Sequence, residues 1–118
     1  MNILLLITTI FFNDLYANDY IWPNDNNGLI TTTFSEPRSR RFHAGIDIRT
    51  FGKIGENVYA IDSGYISRIK IQPHNYGKAI YLILDDRNVV LYSHLSKFNP
   101  QIEKFVSFLH NKYQSSFF

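Results

Sequence analysis

The chain has 118 residues, enough for one domain or part of one. Its make-up (hydrophobic 45%, charged 19%, aromatic 16%) is that of a sequence that folds. A net charge of +2 is too small for an electrostatic footprint on nucleic acid or an anionic membrane, and with no cysteine any metal must be held by His, Asp or Glu.

The first element is the apolar run Ile3–Phe12, ILLLITTIFF. It is too short to cross a bilayer, which takes about 20 residues, and matches the apolar core of a secretory signal peptide. Residues 1–17 are expected to be that signal, with Ala17 as the last residue before cleavage and export to the periplasm or the cell exterior. The match is imperfect: no Lys or Arg precedes Arg38, and Leu15 is larger than the small residue usual three positions before a cut. A buried N-terminal strand is the alternative. Residues 18–118 are then the folded part.

Asn18–Gly28 is polar and turn-rich, so it reads as a loop, and the β-branched LITTTF of Leu29–Phe34 reads as a strand. Glu36–Arg41 is a basic connector carrying Arg38, Arg40 and Arg41. It reads as a solvated loop, with a cationic rim for an acidic substrate as the functional alternative. Arg41–Arg49, RFHAGIDIR, follows. His43 and Asp47 on an unbroken strand would lie about 13 Å apart, too far to share one cation, and the segment is poor helix material. A bend at Ala44–Gly45, with Gly45 supplying a positive φ and Asp47 starting a new strand, would bring them together. Taken alone, a histidine and an aspartate at this spacing read as a local hydrogen-bonded pair.

Short strands are expected at Val58–Ile61, Tyr65–Ile71, Lys78–Leu84 and Val89–Leu95. Alternation in the second places Tyr65, Ser67, Ile69 and Ile71 on one face. The third, KAIYLIL, is apolar enough to be central and covered on both sides. The turns between them are too short for parallel crossovers, so the fold class is all-β, an antiparallel meander. Asn99–Pro100 reads as an N-cap with proline at the first helical position, opening a short amphipathic C-terminal helix over residues 100–112 with Ile102, Phe105, Val106 and Leu109 on its apolar face. His94, on the last strand, is expected to share a face with Val90 and Tyr92, either satisfied by a backbone carbonyl or used in chemistry. His74 reads as an exposed turn residue and His110 as a solvent-facing helix residue. No nucleophile triad and no glycine-rich phosphate loop is present.

Five blocks in order resemble the M23 family of zinc peptidases, the lysostaphin-type cell-wall endopeptidases, over residues 29–96. Ile30–Phe34 is similar to the family's opening strand and Phe42–Ile48 to its HxGxD metal segment. Gly55–Ala60 with Asp62–Ile66 is similar to its glycine-bounded hairpin, Asn75–Tyr81 to its GYG strand, and Leu91–Ser96 to its YAHLS strand. The resemblance implies a lysostaphin-type β-sheet core and an exported zinc metalloendopeptidase acting on peptide bonds of peptidoglycan stems or cross-bridges. By resemblance His43 and Asp47 are zinc ligands and His94 is the catalytic histidine. In such enzymes zinc polarises the scissile carbonyl and lowers the pKa of a bound water to about 7, while a neutral histidine moves protons. The third ligand and a further catalytic histidine come from an H-x-H motif, which this sequence lacks. The chain is therefore expected to be truncated before that motif, to hold Zn2+ weakly and to be inactive alone. A non-catalytic module that binds peptidoglycan or regulates a hydrolase is the alternative.

Overall fold

The computed structural model describes residues 19–26 and 28–113, so the expected signal peptide lies outside the described residues. The elements in chain order are β1 (Ile30–Thr32), β2 (Pro37–Arg38), β3 (Arg41–Phe42), β4 (Asp47–Ile48), β5 (Gly64–Ile71), β6 (Lys78–Leu84), β7 (Val89–Leu95) and α1 (Pro100–Tyr113). The strands form three antiparallel sheets, β1–β4, β2–β3 and β5–β6–β7, so the mainly-β class holds with one short C-terminal helix. No helix of the described residues is long and apolar enough to cross a membrane.

The three-stranded sheet carries the core. β6 is central and begins and ends where its apolar run does. Ile69, Phe98 and Val106 are buried together, with Ile71, Ile80, Leu95 and Ile102 packed against them. The α1 helix lies over that face. It starts where the sequence dictates: Asn99 Oδ1 accepts the Ile102 N–H at 2.9 Å, satisfying one of the unpaired donors of the first turn. Lys78 Nζ reaches Glu103 Oε1 at 2.6 Å and lies 5.2 Å from the centre of the Phe98 ring, tying β6 to the helix from its own face. Phe105, expected on the apolar face, is instead 54% exposed.

Two bulges break the alternation read from the sequence. On β5, Ile66 faces Leu82 but Arg68 faces Tyr81, leaving Ser67 as an extra residue. Ile66, Ile69 and Ile71 therefore share the helix-side face, and Tyr65 goes to the other side with Arg68 and Lys70, not with Ile69 as expected. On β7, Tyr92 faces Ile80 and Leu95 faces Lys78, so Ser93 and His94 together oppose Ala79. The expectation that β6 is covered on both faces is met on one. The opposite face presents half-buried Tyr81 and Ile83 beside Tyr65 and Val89, both 62% exposed. At the head of β5, a Cβ on Gly64 would sit 2.3 Å from the Ile83 carbonyl oxygen, so only glycine lets β5 and β6 meet there.

Val58–Ile61 is not a strand of any sheet. Its backbone is used by the N-terminal segment: the Ile21 N–H donates to Ile61 O and the Tyr59 N–H to Pro23 O, both near 2.9 Å. The loop expected at residues 18–28 thus doubles as an edge for this segment. The Tyr20 hydroxyl bonds Asp86 and accepts from Asn88 Nδ2 at 2.7 Å, anchoring the same segment to the β6–β7 turn. No strand of β1–β4 or β2–β3 runs beside the three-stranded sheet.

Candidate functional site

His43 and Asp47 are brought together by the two small sheets. The basic connector is not a loop but a tight hairpin, with Arg38 opposite Arg41 and Pro37 opposite Phe42 across the turn Ser39–Arg40. Beyond it the ladder continues through His43, whose N–H donates to Glu36 O at 2.9 Å and whose carbonyl accepts the Ser35 N–H at 2.8 Å. Ser35 has φ of 63°, and the left-handed kink folds Thr32 and Thr33 back toward the His43 ring. On the other side Thr32 pairs with Asp47 in β1–β4, setting their side chains on one face.

A bend does lie at Gly45, as expected, but it needs no left-handed backbone there, and open space surrounds the position where a Cβ would be. Asp47 starts β4, also as expected. The outcome is His43 Nε2 3.3 Å from Asp47 Oδ1.

The hydrogen-bond wiring around the pair is specific. The other ring nitrogen, His43 Nδ1, lies 3.0 Å from the Thr33 carbonyl oxygen and 3.2 Å from Thr32 Oγ1. A carbonyl can only accept, so Nδ1 donates to Thr33 and Nε2 is the ring nitrogen that faces Asp47. Thr32 Oγ1 donates to Asp47 Oδ2 at 2.5 Å, and Arg38 Nη2 donates to the same oxygen at 2.8 Å and to Thr32 Oγ1 at 3.2 Å. One carboxylate oxygen is thus committed to protein donors and the other faces His43. The Thr32 hydroxyl bond, then the Arg38 hydrogen bond and the His43 and Arg38 charges, hold the Asp47 carboxyl below its usual range, against an opposing contribution from burial.

The two facing atoms can share a cation. A proton is one solution, with Nε2–H donating to Oδ1, although charge-assisted bonds of this kind are usually nearer 2.7–2.9 Å, about half an ångström shorter. A metal is the other: ligand bonds of about 2.0–2.1 Å at a tetrahedral angle set a nitrogen and an oxygen roughly 3.3–3.4 Å apart. The observed 3.3 Å is compatible with an ion pair as well as with two ligands of one metal, and the bond from Nδ1 to a backbone carbonyl fixes the ring in either case.

Among the described residues no group of three or more His, Cys, Asp or Glu side chains converges, so the pair has no third partner of that type there. His94 lies apart from it on β7. The bulge gives His94 a φ of 58°, and its N–H donates to Tyr76 O at 2.9 Å. Leu95, not His94, takes the face of Tyr92, so the expected alternation fails here for the same reason as on β5. The imidazole of His94 is left exposed, and a bulge of this kind re-aims a side chain out of its strand's register. No hydrogen bond between described residues links it to His43 or Asp47. His74 and His110 are exposed, as expected.

Thr32 is the site residue that sequence reasoning missed, and Arg38, read there as solvated loop or cationic rim, bonds Asp47 instead. Thr32 sits mid-run in an apolar strand candidate, and a hydroxyl at a strand position opposite a carboxylate is a readable signal only once the β1–β4 pairing is known. Arg40 and Arg41, the other members of the basic trio, remain exposed at the hairpin. A concavity of about 530 Å³ lined by Thr31, Ile48 and Arg49–Gly52 contains none of His43, Asp47 or His94. Compared with protein-family models, curated proteins and solved structures, the chain matches none.

Proposed function

We propose that His43 and Asp47 are two ligands of a zinc centre of the M23 type, in an exported chain related to enzymes that hydrolyse peptide bonds of peptidoglycan stems or cross-bridges. The observation that carries this reading is the 3.3 Å approach of His43 Nε2 to Asp47 Oδ1 with Nδ1 already committed to the Thr33 carbonyl. The five ordered blocks of family-like sequence support it independently. Bound zinc supplies a Lewis acid and an activated water. His43 offers it a neutral nitrogen of fixed tautomer, and Asp47 a carboxylate oxygen held ionised by Thr32 and Arg38. His94, exposed on the β7 bulge, is the group assigned to proton transfer.

Catalytic zinc centres use three protein ligands, and the described residues supply two. The chain by itself is therefore expected to take up zinc weakly and to hydrolyse nothing. The test is equilibrium dialysis with Zn2+, alongside digestion of synthetic stem and cross-bridge peptides. The expected result is sub-stoichiometric zinc, lost in His43→Ala, with intact peptides. Zinc uptake unaffected by His43→Ala contradicts the centre, and tight one-to-one zinc contradicts the two-ligand limit. Binding to purified peptidoglycan with no dependence on zinc or His43 would instead favour the non-catalytic module.

A further inference from the structure

We propose that Arg38 and Thr32 are positioning residues that fix the Asp47 carboxylate so that it offers one oxygen, Oδ1, to a divalent metal shared with His43. This rests on the zinc reading above. The two carboxylate oxygens divide the labour: Oδ2 accepts from Thr32 at 2.5 Å and from Arg38 at 2.8 Å, whereas Oδ1 faces, among the described residues, His43 Nε2. Two donors on one oxygen set the rotation of the carboxylate plane as well as the side-chain rotamer. A free aspartate can bind a metal through either oxygen or through both, so the clamp selects a single-oxygen mode.

Thr32 also couples the two ligands. Its hydroxyl has one proton, given to Asp47, and two lone pairs, which meet Arg38 Nη2 at 3.2 Å and His43 Nδ1 at 3.2 Å. All three capacities are used, and the one side chain touches both ligands and the Arg38 guanidinium. Arg38 reaches it because the two-residue hairpin turn returns the chain at once, placing β2 beside the site.

The guanidinium also carries a charge that repels a metal ion, and this opposes the effect of orientation. The Arg38 and Asp47 side chains are 39% and 41% exposed, so that repulsion is screened by solvent. The loss of geometry is not screened. Orientation therefore wins, and partners of this kind are commonly worth about 10–100-fold in metal affinity.

The experiment uses the full chain in three variants, Thr32→Val, Arg38→Met and Arg38→Lys, each checked by its amide spectrum for an intact β5–β6–β7 sheet. In the metal-free protein, Hα–Hβ couplings of Asp47 report its rotamer, and a Zn2+ titration of the same samples reports affinity. Wild type is expected to show one Asp47 rotamer. Thr32→Val and Arg38→Met should average it and weaken zinc about tenfold or more. Arg38→Lys, which keeps the charge but not the planar fork, should also bind zinc more weakly than wild type. A single unchanged Asp47 rotamer in the variants, or zinc binding equal to or tighter than wild type in Arg38→Met, overturns the proposal. If wild type binds no zinc, the zinc reading falls, and the metal-free couplings still decide whether Arg38 and Thr32 hold Asp47.

Discussion

Asp47 is paired with a threonine hydroxyl, a guanidinium and an imidazole at once, and its carboxyl is held below the ordinary range. A carboxylate depressed in the folded state contributes stability at pH values above its unfolded pKa, and that contribution is lost as pH falls through the folded value. Asp47→Asn removes it. The thermal midpoint of Asp47→Asn is therefore expected to lie below that of wild type at neutral pH, and the gap should close as pH falls below about 4. A gap that stays constant from neutral to acidic pH would mean that the carboxylate is not held by its neighbours. At this scale the closeness of His43 and Asp47 was legible in the sequence, because Gly45 permits the bend that brings a histidine and an aspartate at this spacing together. Their supports were not. Arg38 lies in what reads as a solvated connector, and only the β2–β3 hairpin shows it beside Asp47, where it stays exposed.

Regular elements were legible where one signal dominates. The apolar run of KAIYLIL and the alternation of VVLYSHL bound β6 and β7 at their observed ends, and Asn99–Pro100 marks the start of α1. The bulges at Ser67 and at Ser93–His94 were not legible, because nothing in either strand's own sequence requires an extra residue; the register of the partner does. The same holds for the two-residue strands β2 and β3, which exist only as a pair, whereas the start of β4 at Asp47 was expected. His94 gives the bulge a measurable signature. At φ of 58° a β-branched side chain clashes with its own backbone, whereas glycine does not. His94→Gly should stay within about 1 kcal/mol of wild type, and His94→Val should lose about 1–3 kcal/mol, the reverse of strand propensity. Denaturant unfolding of the two variants checks the order. If valine is tolerated better than glycine, β7 runs regularly through His94 and its side chain is not re-aimed.

The whole molecule divides its tasks between parts of unequal solidity. The β5–β6–β7 sheet and α1 share one small core, and Phe98, 4% exposed, is its aromatic centre. Phe98→Ala is expected to cost about 3–5 kcal/mol, enough to lose the cooperative transition in a domain with so few buried residues. The His43–Asp47 pair stands outside that core, on two-stranded sheets held by backbone pairing and by the Thr32–Arg38–Asp47 network. Its most direct test is therefore local. Long-range 1H–15N spectra of the His43 ring, recorded through a Zn2+ titration, distinguish the two nitrogens. The pairing of Nε2 with Oδ1 predicts that zinc shifts Nε2, that Nδ1 stays protonated on Thr33, and that Asp47→Asn abolishes the effect. Zinc that leaves the His43 ring unchanged, or that binds through Nδ1, would contradict it.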